Sequence, residues 1–302
     1  MSATRESADQ FAEVGDGLRI CYRLDGDPDG EPLVLVAGLG QQLTVWPQPL
    51  VDALVAEGYR VVRLDNRDAG RSTKVDQPTP GTLRMLLGRP RPGAYTLGHM
   101  AGDVVALLDH LGLERVHLVG QSMGGMIAQT VAACAPARVR SLVSIYSTTG
   151  DTKVGQASFR TKLMVTRRGP RGAEEAVAGH LAMTRHLAGR DFPIDEDAER
   201  AYAAEAWERA GGANGAGLAR QIQAIQASGD RTAEVATITV PTLVVNGDRD
   251  LIVHPTGGVA TARAVAGSRH VVIRGMGHHL APTLVPRIVE EILTTHRSAA
   301  RD

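Results

Sequence analysis

Short apolar runs recur along this chain, each followed by a longer stretch whose apolar residues return every third or fourth position. "PLVLVAG" (32–38), "RVVRLDN" (60–66), "RVHLVG" (115–120), "VRSLVSIY" (139–146), "PTLVVNG" (241–247) and "RHVVIRG" (269–275) read as strands. The stretches 46–58, 96–111, 122–135, 255–266 and 282–296 read as the helices between and after them. Apolar strands alternating with amphipathic helices imply a parallel sheet, because parallel neighbours need a crossover and the crossovers cover both faces. The expected fold class is therefore α/β, a mostly parallel, doubly wound sheet. The opening strands, beginning with "LRICYRL" (18–24), alternate more and suggest an antiparallel edge.

The rhythm breaks between about 148 and 238. "AEEAVAGHLAMTRHL" and "DAERAYAAEAWERA" have helical composition with no strand between them, and "GGANGAG" (211–217) reads as a hinge-like break. We expect a helical lid over 149–237, inserted into a core domain made of 1–148 and 238–302.

Composition removes several classes of function. Thirty-three basic residues balance thirty-three acidic ones, so the chain as a whole exerts no electrostatic pull on nucleic acid or anionic membrane. Aromatic residues, at 3%, are too scarce for a base-stacking surface. No apolar run approaches the roughly 18 residues needed to cross a bilayer. The polar start "MSATRESADQ" has no apolar signal core, so a cytoplasmic location is expected. Cys21 and Cys134, far apart, are read as reduced thiols. The expected partner is a small, largely apolar ester-type molecule, with neither nucleic acid nor membrane, and the chain is expected to act as a monomer or homodimer.

Ser122 lies in Gly120-Gln121-Ser122-Met123-Gly124, a G-x-S-x-G pattern. With eleven serines and 34 glycines in the chain, chance supplies roughly 0.1 to 0.2 such matches. The context says more: an apolar strand ends at Gly120 and a helix starts just past the serine. In that setting a serine stands exposed on a strained elbow, beside free N–H groups at a helix N-terminus. The alternative is that Ser122 only caps the helix.

A serine nucleophile needs a base, and the base an orienting carboxylate, both at the carboxyl ends of later strands. The loop "GDRDLIVH" offers Asp248 and Asp250, and the loop "GMGHHL" offers His278 and His279. Adjacent histidines without a third ligand nearby do not suggest a metal. No metal and no cofactor is expected.

With these motifs the sequence resembles the α/β-hydrolase fold superfamily, in its esterase and lipase-like lineage. The resemblance covers about 11–148 and 238–296. It implies an acid in a G-x-x-D loop, hence Asp250, and a base after G-x-G, hence His278. The helical lid expected from composition would follow the sixth strand. The oxyanion donors would be the N–H groups of Met123 and of Leu39 in Ala37-Gly38-Leu39-Gly40, where a histidine often precedes the first glycine and here is absent. "LDNRDAGRST" (64–73) resembles bacterial esterases acting on polyketide-type methyl esters. Its Arg71 either knits the loop or holds an anionic substrate. The Pro/Gly-broken basic stretch 81–95 is expected to cover part of the pocket mouth. Gln121, Gly38, Leu163, Met164, Leu181, Met183, Trp207 and His279 are candidate pocket residues, the apolar ones equally candidates for the core of the lid. The implied activity is ester hydrolysis. Carbon–carbon bond hydrolysis, thioester cleavage, perhydrolysis, a hydrolase-like receptor and a scaffold stay open as alternatives.

Overall fold

The computed structural model describes residues 8–165, 169–189 and 191–299. In chain order the elements begin with β1 (Gln10–Glu13), β2 (Arg19–Asp25), β3 (Glu31–Val36), α1 (Gln48–Ala56), β4 (Tyr59–Leu64), α2 (Thr82–Leu86) and α3 (Leu97–His110). They continue with β5 (Val116–Gln121), α4 (Met123–Cys134) and β6 (Val139–Ile145). Between β6 and the next strand lie α5 (Phe159–Val165), α6 (Ala173–Leu187), α7 (Glu196–Arg209), α8 (Gly215–Ser228) and α9 (Thr232–Val235). The chain closes with β7 (Thr242–Gly247), α10 (Thr256–Ala264), β8 (Arg269–Ile273) and α11 (Val285–Ala299).

The eight strands form one sheet in the order β1-β2-β4-β3-β5-β6-β7-β8, the mostly parallel arrangement expected from the sequence. From β4 onward every pairing is parallel; β1 and β2 supply the antiparallel edge. Strand β1 lies outside the sequence expectations. Its four residues bury only Ala12 and leave Phe11 40% exposed, so it carries no apolar signal.

Period-two alternation divides the core. In β3, Val34 and Val36 pack with α3 and α4, while Leu33 and Leu35 pack with α1 and α11 on the other face. That two-sided burial is why the strand reads as a continuous apolar run rather than an alternating one. Helix α11 buries Val285, Ile288, Val289 and Ile292, one stripe at helical spacing.

The segment between β6 and β7 holds helices and no strand among the described residues. Its last part belongs to the main core, since Ala224 of α8 and Val235 of α9 are buried in the α3/α4 cluster. Two buried ion pairs fasten α7 and α8 to the loop after β4. Arg209 meets Asp65 at 2.8 Å, and Arg220 grips Asp68 through two bonds of 2.6 and 2.9 Å. Both carboxylates are fully buried, and each arginine offsets part of the cost of burying its partner's charge. Helix α2 lies against α8 through Gln226, whose side-chain N–H donates to the Met85 carbonyl at 2.7 Å.

Candidate active site

Parallel strands place their carboxyl ends on one edge, so the loops after β5, β7 and β8 meet there. Ser122 sits between β5 and α4 with φ 55° and ψ −122°, a conformation rarely adopted by a side-chain-bearing residue. Its N–H donates to the Ile145 carbonyl at 2.9 Å, and Ser147 Oγ donates to its own carbonyl at 2.8 Å. The flanking glycines are required by sterics. A Cβ on Gly120 would meet the Gly124 carbonyl oxygen at 2.2 Å, and one on Gly124 the Val36 carbonyl oxygen at 2.0 Å. Backbone atoms cannot move aside, so strand and helix come this close only without side chains. Ser122 occupies the cap position of α4, yet its side chain makes no capping bond. It turns instead to His278.

His278 Nε2 lies 3.0 Å from Ser122 Oγ, and His278 Nδ1 lies 2.6 Å from Asp250 Oδ2. The tautomer that satisfies both contacts carries its proton on Nδ1, leaving Nε2 to accept from the serine hydroxyl. Asp250 Oδ1 accepts the N–H groups of Ile252 and Val253 at 2.8 and 2.9 Å, which fixes the carboxylate in a fully buried position. Asp248, the other aspartate of that loop, braces the next turn by accepting the Gly275 N–H at 2.7 Å. The His278 N–H donates to the Leu187 carbonyl at 2.8 Å, tying this loop to the end of α6.

Met123 opens α4, and Leu39 lies in the loop after β3. Neither N–H has a hydrogen-bond partner among the described residues. The loop comes close to the serine: a Cβ on Gly38 would stand 3.2 Å from Ser122 Cβ and 2.5 Å from Gln41 Oε1. Gln41 holds the loop in place. Its Oε1 accepts the Gly38 N–H and Gln121 Nε2, each at 2.9 Å. Tyr146 OH donates to Gln121 Oε1 at 2.5 Å. Burial, with the charges of Asp250 and Glu199 adding to it, pushes the Tyr146 phenol well above its ordinary pKa, so it stays a donor.

The candidate pocket residues differ in their surroundings. The Gln121 side chain is buried in the brace just described. Arg71 pairs with Asp9 at 2.7 Å and is half exposed, so it knits the β4 loop to the N-terminal segment. Leu163 is 56% exposed on α5. Met164, Met183 and Trp207 are half-buried, and Leu181 is buried on α6. His279 points toward α7, with Nε2 3.4 Å from Glu199 Oε1, and burial lowers its pKa.

Sequence reasoning missed Gln41, Tyr146 and Glu199. Tyr146 follows the end of β6 with φ 36°, and a residue at the carboxyl end of a central parallel strand was the available signal. Nothing separates Gln41 from Gln42 in the sequence, and Glu199 is one acid among several in an acidic helix. Among the described residues no group of three His, Cys, Asp or Glu side chains is placed to hold a metal ion. No helix among them is long and apolar enough to cross a membrane.

Residues 31–283 match the family described as alpha/beta hydrolase fold. A Variovorax paradoxus (strain S110) protein, RutD, whose name carries a provisional assignment as a carbamate hydrolase, is 30% identical over 85% of this chain and 87% of its own. Rhodomycin D methylesterase DauP of Streptomyces sp. (strain C5) is 29% identical over 91% of this chain and 93% of its own. The crystal structure of the enol-lactonase from Burkholderia xenovorans LB400 superposes with a TM-score of 0.72 at 26% identity, covering 95% of this chain and 99% of that one.

Proposed function

The chain belongs to the alpha/beta hydrolase fold family, and on that premise we propose that it cleaves carboxylic esters, methyl esters and lactones among them, through an acyl-enzyme on Ser122. The observation that carries this reading is the hydrogen-bonded run from Asp250 through His278 to Ser122, at the head of α4.

The chemistry follows from the atoms already placed. As Ser122 Oγ attacks the ester carbonyl, its proton passes to His278 Nε2. The imidazolium that forms is stabilised by Asp250, whose carboxylate is fixed by two backbone bonds. The carbonyl oxygen becomes an anion, and the unpartnered N–H groups of Leu39 and Met123 are the donors for it. His278 returns the proton to the departing alcohol oxygen. It then takes a proton from water as that water attacks the acyl group, and serine leaves with the proton restored.

A methylesterase and an enol-lactonase among the similar proteins support ester-type substrates in general. In this reading the helices of 149–237 act as a lid over the core formed by 1–148 and 238–302.

The test is intact-mass spectrometry after incubation with a fluorophosphonate. One adduct is expected on the wild type and none on Ser122→Ala or His278→Ala. A folded wild type that takes no label would overturn the activated-serine reading. A labelled protein is then assayed on nitrophenyl, methyl and lactone esters.

A further inference from the structure

We propose that Glu199 makes the pocket selective for esters bearing an ammonium group, protonated or quaternary. The inference rests on the ester-hydrolase reading above and adds a charge preference to it.

Glu199 belongs to a row along α7. Glu199, Tyr202, Ala206 and Arg209 are spaced three, four and three residues apart, which puts them on one face of a helix. That face spans the site. At one end Glu199 Oε1 stands 3.4 Å from His279, the neighbour of His278. At the other, the Ala206 carbonyl accepts Gln42 Nε2 at 2.6 Å, and Arg209 donates to Gln42 Oε1 at 3.0 Å. Gln42 follows the brace Gln41, so α7 runs from the histidine loop to the oxyanion loop, with Glu199 at the histidine end.

The charge environment of Glu199 sets it apart. The buried carboxylates of Asp9, Asp25, Asp65, Asp68, Asp103 and Glu291 each meet an arginine. Glu199, with 17% of its side chain exposed, meets two imidazoles. His180 Nε2 lies 2.6 Å from its Oε2, and no lysine or arginine among the described residues forms an ion pair with it. Asp250 shares this arrangement, and its negative charge has a use, the imidazolium of His278. The ester cleavage described above makes no use of Glu199.

Glu199 sits in the first turn of α7. The acids of that first turn that face outward are used otherwise, as in the exposed pair of Glu196 with Arg185. His279 Nε2 is buried without a hydrogen-bond partner, and burial lowers its pKa, which favours the neutral ring. The Tyr202 ring lies 5.2 Å from that of His180, the imidazole that meets Glu199. A carboxylate at the edge of the site attracts ammonium groups by charge. The same field works against acyl groups that carry a carboxylate of their own.

The test uses two pairs of isosteres that differ only in whether a quaternary nitrogen or a carbon stands at one position. One pair places it on the acyl side: nitrophenyl 4-(trimethylammonio)butanoate and nitrophenyl 5,5-dimethylhexanoate. The other places it on the alcohol side: choline butyrate and 3,3-dimethylbutyl butyrate. Each kcat/KM is divided by the hydroxide-catalysed rate of the same ester, which removes the intrinsic activation by the cation. Wild type should prefer the ammonium ester about tenfold in at least one pair, and the preference should shrink with added salt. In Glu199→Gln, which keeps shape and loses charge, the ratio should fall to near one. A purely structural Glu199 would change both esters of a pair alike. A wild-type ratio near one in both pairs overturns the inference while leaving the hydrolase reading intact, and it needs no variant to fold. If no ester turns over at all, both readings fall.

Discussion

Asp250 faces His278 with one oxygen only: Oδ2 meets His278 Nδ1 at 2.6 Å, while Oδ1 accepts the N–H groups of Ile252 and Val253. The carboxylate cannot rotate without breaking backbone bonds. It therefore fixes the imidazole's tautomer as well as its position.

Asp250→Asn separates those roles. The amide oxygen can keep the backbone bonds, but its NH₂ group faces Nδ1 and favours the wrong tautomer. We expect kcat for ester cleavage to fall roughly a thousandfold or more, with the thermal midpoint little changed. A fall of less than tenfold in steady-state kinetics would remove Asp250 from the mechanism.

The Gln41 brace makes a different prediction. Gln41→Ala frees the Gly38 N–H and Gln121 Nε2 together, so the Leu39 N–H loses its fixed aim. Because the oxyanion exists only on the way over the barrier, kcat should drop by about ten- to a hundredfold with KM within about twofold. Tyr146→Phe removes one bond further out and should give a smaller effect in the same direction. Equal losses in kcat and 1/KM would contradict the brace.

Stability should depend on pH through a cluster at the opposite edge of the sheet. His117 and His296 stack with ring centroids 3.8 Å apart, and both are almost fully buried. Burial lowers both pKa values, and His296, with His117 also acting on it, is pushed down to about 2. His296 Nδ1 accepts the Tyr59 hydroxyl at 2.8 Å, which suits a neutral ring. The unfolded chain binds protons below its ordinary value of about 6.5, where the folded chain does not. Stability is therefore complete above pH 6.5 and declines as pH falls below it. At pH 5 His296 alone should account for about 2 kcal/mol. Urea midpoints at pH 8 and pH 5 should differ clearly in wild type and much less in His296→Phe; equal slopes would rule this cluster out as the cause.

Arg220→Met tests the attachment of α8. Asp68 is fully buried, and besides Arg220 it accepts the Tyr95 hydroxyl at 2.8 Å and the Val75 N–H at 3.0 Å. Removing the guanidinium leaves that charge without its cation, at a cost of ~3 kcal/mol or more. The variant should unfold at markedly lower urea, and limited proteolysis should cut first between 149 and 237. Unchanged stability would mean that the ion pair contributes nothing to holding the helices.

Much of the sheet was legible because its signal is local. Leu33 to Val36 are apolar on both faces because helices cover both faces, and such a run is visible without knowing its neighbours. Strand β1 was invisible because it buries one side chain and borrows its order from pairing with β2. The loop residues Ser122, Asp250 and His278 could be singled out by chain order and strand ends. The partners of Gln121, Arg71 and Glu199 could not, since each lies dozens of residues away and is reached only through folding.

The sequence by itself determined the parallel sheet, because strands separated by helical crossovers have no other way to pair, and it determined that three chemically capable loops would share one edge. Only packing fixed which oxygen of Asp250 meets His278, which glutamine holds the loop after β3, and which carboxylate meets no arginine among the described residues. Those outcomes depend on contacts of a few ångströms between distant segments. Neither local propensity nor hydrophobic period encodes such contacts, which are set by how the packed elements finally interlock.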